Sequence, residues 1–197
     1  MSRLMRMCRV LAHPRELRMA LSGLAVRLGG DEEFGGVSAD ELSALVEWVR
    51  QVKPSVFVEI GTLFGCTARS VANLTGVRVV AVDNFSWNPF GLTPAQHEAF
   101  ARRVVEGCDV ELVRADSRRF LSDWPLGDAA SAMVFLDGDH SYDGVRAELE
   151  LLKAKGVAVA AGHDFGRAGF GVAQAVRDVL GEPDEVSGIC WMKRIAR

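Results

Sequence analysis

From Pro54 onward, five short apolar runs recur, each closed by polar residues: "SVFVEIG", "VRVVAVDN", "DVELVRAD", "AMVFLDGD" and "GVAVAAGHD". Apolar runs this continuous read as strands covered on both faces, because a strand with one wet face alternates. Between them lie stretches with helical spacing, "TARSVANL", "TPAQHEAFARRVVEG", "SRRFLSDW" and "SYDGVRAELELLKAK". Thr93 is placed to cap the second with Pro94 at its first position, and Val145, Leu149 and Leu152 share one face of the last. Strands alternating with helices predict an α/β fold, a doubly wound and mostly parallel sheet. Upstream, "SADELSALVEWVRQV" opens with a Ser38 to Glu41 capping box and carries an apolar face of Leu42, Leu45, Val46 and Val49, after a loop at 29–36. A helix near 171–180 and a short strand in "SGICWMKRI" close the chain. No repeat or linker divides it, so we expect one domain over 1–197, with an N-terminal helical segment at 1–52 and an α/β core at 54–197.

Charge changes this picture in one place. Residues 1–30 hold six arginines against Glu16, a local +5 in a chain of net charge −3. A solvated helix lying on an acidic body accounts for that better than a nucleic-acid or membrane patch, so neither partner is expected. No apolar run approaches the roughly 20 residues of a membrane span. Arginines also interrupt the N-terminus where a signal peptide carries its apolar segment, and the expected compartment is the cytoplasm. Cys8, Cys66, Cys108 and Cys190 form no CxxC pair and read as reduced, mostly buried thiols.

In open sheets of this kind ligands bind beyond the carboxyl ends of the strands. The residues there are Glu59 and Gly61, Asp83 and Asn84, Asp116 and Ser117, Asp137 to His140, and His163 with Asp164. Glu59-x-Gly61-x-x-x-Gly65 before a helix lets the backbone turn tightly and approach a ligand. Asp83, 22 residues after Gly61, can accept both hydroxyls of a ribose, and the pair points to a nucleoside. A dinucleotide site wants glycine where Glu59 stands, since a carboxylate repels a pyrophosphate. S-adenosylmethionine carries an ammonium and a sulfonium and no phosphate, and suits a negative loop.

"VEIGTLFG", "VAVDN", "RADS" and "VFLDGDHSYDGV" followed by "AGHDF" resemble class I S-adenosylmethionine-dependent methyltransferases, in particular the small group of macrolide-sugar and cephalosporin-pathway O-methyltransferases. The resemblance spans about residues 54 to 180 and implies a Rossmann-like methyltransferase fold. It also implies that Glu59, Gly61 and Gly65 hold the methionine end, that Asp83 holds the ribose, and that Asp116 and Ser117 sit beside the adenine. Trp87 and Phe90 are open to two readings, covering the cofactor or substrate and simple loop packing. Cys66 is equally open to helix packing.

Asp137, Asp139, His140, His163 and Asp164 are the most unusual cluster. Ser141 reads as a helix cap and Asp139 equally as a cap or a site residue. Neighbouring strand ends lie roughly 5 Å apart, so Asp137, His163 and Asp164 can share one divalent cation. Coordination acidifies a bound hydroxyl, as it lowers the pKa of water from 15.7 to about 7. The resembling sugar methyltransferases bind metal through an aspartate at the position of Asp137 and an acidic pair on the next strand. His163 replaces a glutamate of that pair, which leaves the metal and its identity open: Mg²⁺ for oxygen ligands, Mn²⁺, Fe²⁺ or Zn²⁺ with an imidazole. The D-x-x-H spacing of that group makes His140 the candidate base. The expected function is therefore methylation of a small-molecule hydroxyl, with homo-oligomer formation left open. A two-histidine, one-carboxylate oxygenase using His140 and His163, and a nucleoside-binding protein without turnover, are the alternatives.

Overall fold

A computed structural model describes residues 37–87, 92–125 and 129–195. The arginine-rich segment, the loop at 29–36 and Phe90 lie outside the described residues.

Helix α1 (Ala39–Val52) begins where expected: the Ser38 hydroxyl accepts the Glu41 N–H, and the Glu41 carboxylate returns to the Ser38 N–H. Such a cap contributes about 1 kcal/mol. The chain then alternates through β1 (Val56–Ile60), α2 (Cys66–Thr75), β2 (Val79–Asp83), α3 (Pro94–Val104), β3 (Val110–Arg114), α4 (Ser117–Asp123), β4 (Ala132–Leu136), α5 (Tyr142–Lys155) and β5 (Val159–Gly162). Thr93 and Pro94 open α3 as their chemistry predicts. The final helix, α6, is Val172–Leu180, starting one residue later than its sequence pattern suggests. The closing strand is half of a hairpin, β6 (Glu185–Ser187) and β7 (Cys190–Arg194). The short β6, only half buried, carried no periodic signal strong enough to be read.

The sheet order is β3-β2-β1-β4-β5-β7-β6, parallel from β3 through β5 and antiparallel through the hairpin. β1 and β4 are fully buried, which accounts for their unbroken apolar runs. Alternate residues face two cores. Val58, Ile60 and Val134 pack with Leu149, Leu152 and Val176 of α5 and α6. Phe57, Met133 and Phe135 pack with Leu45, Trp48 and Val71 of α1 and α2. Helices on both faces make the sheet doubly wound, in the Rossmann-like manner. Strand order reverses between β1 and β4, and the crevice beyond their carboxyl ends is where this fold binds ligands.

β5 lies tightly between β4 and the β7 strand of the C-terminal hairpin. A Cβ at Gly162 would stand 2.6 Å from the Leu136 carbonyl oxygen and 2.8 Å from Trp191 Nε1. We expect Gly162→Ala to push the buried indole off the sheet and lower stability by about 1–3 kcal/mol, read as a reduced urea midpoint at unchanged slope. Wild-type stability in the variant would mean that Trp191 does not hold β5.

Candidate active site

At the point of strand reversal the ends of β1 and β4 touch. The Asp137 N–H donates to the Ile60 carbonyl at 2.8 Å, and a Cβ on Gly61 would lie 2.3 Å from the Asp137 carbonyl oxygen. Gly61, with φ 87°, is therefore required both for its turn and for this approach. Three of the four non-glycine residues with positive φ among the described residues, Leu63 (48°), Phe85 (57°) and Asp164 (60°), follow the ends of β1, β2 and β5. Backbone strain of this kind needs support from its surroundings. Asp83 supplies it twice: its carboxylate accepts the N–H of Leu63 at 2.9 Å and of Phe85 at 2.6 Å. The residue expected to act on a ribose also clamps the β1–α2 and β2–α3 loops, leaving its remaining lone pairs for a ligand.

Glu59 is 2% exposed and accepts a hydrogen bond from the Thr62 hydroxyl. Burial pushes its pKa up to about 8 against that bond, with Asp137 and Asp83 adding repulsion. The result is a buried acid without a cation, beside the glycine turn. Gly65 begins α2 in a left-handed conformation. Asp116 caps α4 by accepting the Arg119 N–H, and the Ser117 hydroxyl donates to the buried Glu148 at 2.5 Å. Ser141 caps α5, its hydroxyl accepting the Gly144 N–H, while Asp139 accepts the N–H of Ser141 itself at 2.8 Å and faces the cleft.

Glu59, Asp83, Asp116, Ser117, Asp137 and Asp139 line one cleft of about 680 Å³, and Gly65 does not. Its other end is built by His140, Asp164, Arg167 and Phe170. His140 Nδ1 lies 3.1 Å from Asp164 Oδ2, and Arg167 donates to Asp164 Oδ1 at 3.0 Å. The His140 ring stacks on Phe170, centroids 4.7 Å apart and planes 7° from parallel, with the Arg167 guanidinium 5.0 Å from the same ring. His140 thus packs on Phe170. With a carboxylate at Nδ1 that nitrogen carries the hydrogen, and Nε2 is left as an acceptor.

His163 does not line the cleft; it lies behind it, 6% exposed. Its Nε2 is 3.3 Å from Glu41, and its Nδ1 is 3.6 Å from Asp137 and 3.7 Å from Asp164. Burial works against its charge, but Asp137 and Asp164 outweigh it and push the pKa up to about 10. Donor atoms of Asp137, His163 and Asp164 lie within 4.8 Å of one another. Among the described residues His140 belongs to no such group, so the two-histidine oxygenase arrangement is not formed.

Sequence reasoning missed Arg167, Phe170, Glu148 and His97. His97, on α3, is 1% exposed between Phe64 and Phe85 and lines the cleft. Only Arg167 carried a signal, a cation three residues past Asp164; the others look like ordinary helix or loop residues. Trp87, at 61% exposed, lines the mouth.

The cleft lies at the reversal point of a doubly wound sheet, where folds of this kind bind nucleoside-containing ligands. Residues 58–165 match the family model described as a methyltransferase domain, and the chain belongs to that family. No curated protein matches it. Among solved structures it is similar to the O-methyltransferase TomG from Streptomyces achromogenes, involved in tomaymycin synthesis and in complex with SAM: 18% identity, 90% of each chain covered, TM-score 0.61. It is similar to the O-methyltransferase from Bacillus cereus in complex with SAH, at 19% identity over 82% of this chain and 74% of that one, TM-score 0.56. It is also similar to the ribosomal protein L11 methylase from Lactobacillus delbrueckii subsp. bulgaricus, at 17% identity over 82% and 80%, TM-score 0.53. At such identities the shared property is the fold. No helix among the described residues is long and apolar enough to cross a membrane.

The raised Glu59 has a consequence for the ligand-free protein. Its folded pKa lies above its ordinary value of 4.5, so its contribution is complete below that pH and is lost as pH rises through about 8. Glu59→Gln removes this loss, and its melting temperature relative to wild type should climb across that window. A constant difference would show that Glu59 is ionised throughout.

Proposed function

We propose that this chain transfers a methyl group from S-adenosylmethionine to a hydroxyl oxygen of a small molecule, with His140 as the base. The observation that carries this is the single cleft joining the acidic turn of Glu59 and Asp83 to the His140–Asp164 pair. Glu59, Asp83 and Asp137 make this end of the cleft acidic, and an ammonium and sulfonium suit it where a pyrophosphate would add negative charge. When bound, S-adenosylmethionine supplies the methyl group on a sulfonium leaving group. Glu59 and the Gly61 turn would hold its methionine end, Asp83 its ribose, and Asp116 and Ser117 its adenine.

The chain's own part is orientation and proton removal. Asp164 holds the Nδ1–H tautomer of His140, Phe170 fixes the plane of the ring, and Nε2 takes the hydroxyl proton as the oxygen–carbon bond forms and the carbon–sulfur bond breaks. Asp137, His163 and Asp164 fit a divalent ion, having two carboxylates and a nitrogen within 4.8 Å of one another. Such an ion would acidify the acceptor hydroxyl.

Isothermal titration with S-adenosylmethionine should give saturable binding and titration with NAD none; the reverse result would remove this reading. Asp83→Asn should weaken the S-adenosylmethionine affinity at least tenfold, since hydrogen bonds to a charged group contribute about 1.5–3 kcal/mol. His140→Ala should keep that affinity, while S-adenosylhomocysteine formation with phenolic and sugar hydroxyl acceptors falls by ~10²- to 10⁴-fold. Normal turnover in that variant would exclude His140 as the base.

A further inference from the structure

Glu41 reaches this site from α1, outside the residues that match the family model. It is 8% exposed and fully committed: Oε2 accepts the Ser38 N–H at 2.9 Å and lies 3.3 Å from His163 Nε2, while Oε1 accepts the Ile189 N–H at 2.9 Å. The β6–β7 turn closes directly on the carboxylate, for a Cβ at Gly188 would stand 2.5 Å from Oε1. Helix α1, the hairpin and the end of β5 therefore meet at one side chain. Both oxygens already accept a backbone N–H, so the carboxylate meets His163 as an acceptor and the His163 nitrogen facing it carries a hydrogen.

We propose that Glu41 is a positioning residue of the cation site: it fixes the Nε2–H of His163, so that a cation displacing the Nδ1 proton finds that nitrogen as the third donor beside Asp137 and Asp164. This rests on the reading of those three residues as a cation site. A histidine that ligates through one nitrogen and donates through the other to a carboxylate is held in one tautomer and orientation and made more basic. The resulting set, one nitrogen and two carboxylates, favours Mn²⁺, Fe²⁺ or Zn²⁺ over Mg²⁺. Cys190 lies in a second group, with Glu41 and His163, and not in the group of Asp137 and Asp164.

Titration of Mn²⁺ into wild type, Glu41→Gln and Ser38→Ala tests the proposal. The amide of Glu41→Gln puts an N–H where the carboxylate had an acceptor, and Mn²⁺ affinity should fall 10- to 100-fold, the range for loss of such a supporting group. Ser38→Ala removes the helix cap but keeps the Glu41–His163 contact, and should lower the melting temperature with Mn²⁺ affinity unchanged. Equal affinity in wild type and Glu41→Gln overturns the proposal, as does a loss in Ser38→Ala that matches that in Glu41→Gln. If wild type takes up neither Mn²⁺ nor Zn²⁺, the cation reading fails and the proposal with it. The Nε2–H of His163, observed by nitrogen-15 NMR in the metal-free wild type, separates that failure from an error about Glu41. It should be protonated and slow to exchange, and a bare Nε2 there overturns the role of Glu41 even if Glu41→Gln does not fold.

Discussion

The imidazole of His163 sits among three carboxylates contributed by separate parts of the chain: Glu41 of α1, Asp137 after β4 and Asp164 after β5. Removing one partner from a buried ion cluster leaves an uncompensated charge, which costs several kcal/mol. The ends of β4 and β5 and the N-terminus of α1 are thus coupled through one ring. The cluster also has a working pH range. His163, raised to about 10, contributes fully below its ordinary 6.5 and loses that contribution as pH rises through about 10. Glu41, lowered to about 2, contributes fully above 4.5 and loses it as pH falls through about 2. Both contributions are complete between 4.5 and 6.5, and that of Glu41 persists above this range.

The cleft is organised by restraint of its backbone. Leu63, Phe85 and Asp164 hold left-handed conformations that side chains disfavour, and each is tied by groups that also face the cleft. Asp83 holds the amides of the first two. Asp164 is held through its own carboxylate, by Arg167 on one oxygen and His140 on the other. The polar groups of the rim therefore shape the cleft before any ligand enters, the arrangement that avoids reorganisation when charge moves. Glu59 is the exception, an acid that burial keeps short of a counter-ion.

Folds of this kind carry many acceptors: the similar structures include both an enzyme of tomaymycin synthesis and a ribosomal protein methylase. What distinguishes one chain from another lies in the side chains beyond the strand ends. Here these are the His140–Phe170 stack, the Arg167 guanidinium above the same ring and the exposed Trp87. They form an aromatic and cationic mouth on a cleft whose floor is acidic.

The order of helices and parallel strands was legible in the sequence because burial on both faces leaves unbroken apolar runs, and caps such as Ser38 and Thr93 act within four residues. For the same reason the rim was legible: in a parallel sheet the carboxyl ends must lie side by side, so Glu59, Asp83, Asp116, Asp137 and Asp164 had to meet. Which partners those residues take was not. Glu41 satisfies a local capping box in full, and nothing in its neighbourhood signals a bond to His163, 122 residues away. Phe170 under His140, the Ser117 bond to Glu148 and the placement of His163 behind the cleft depend on how loops and helices pack across the sheet. A local pattern specifies periodicity and caps, whereas a contact between distant side chains exists only once the core has set the distance between them.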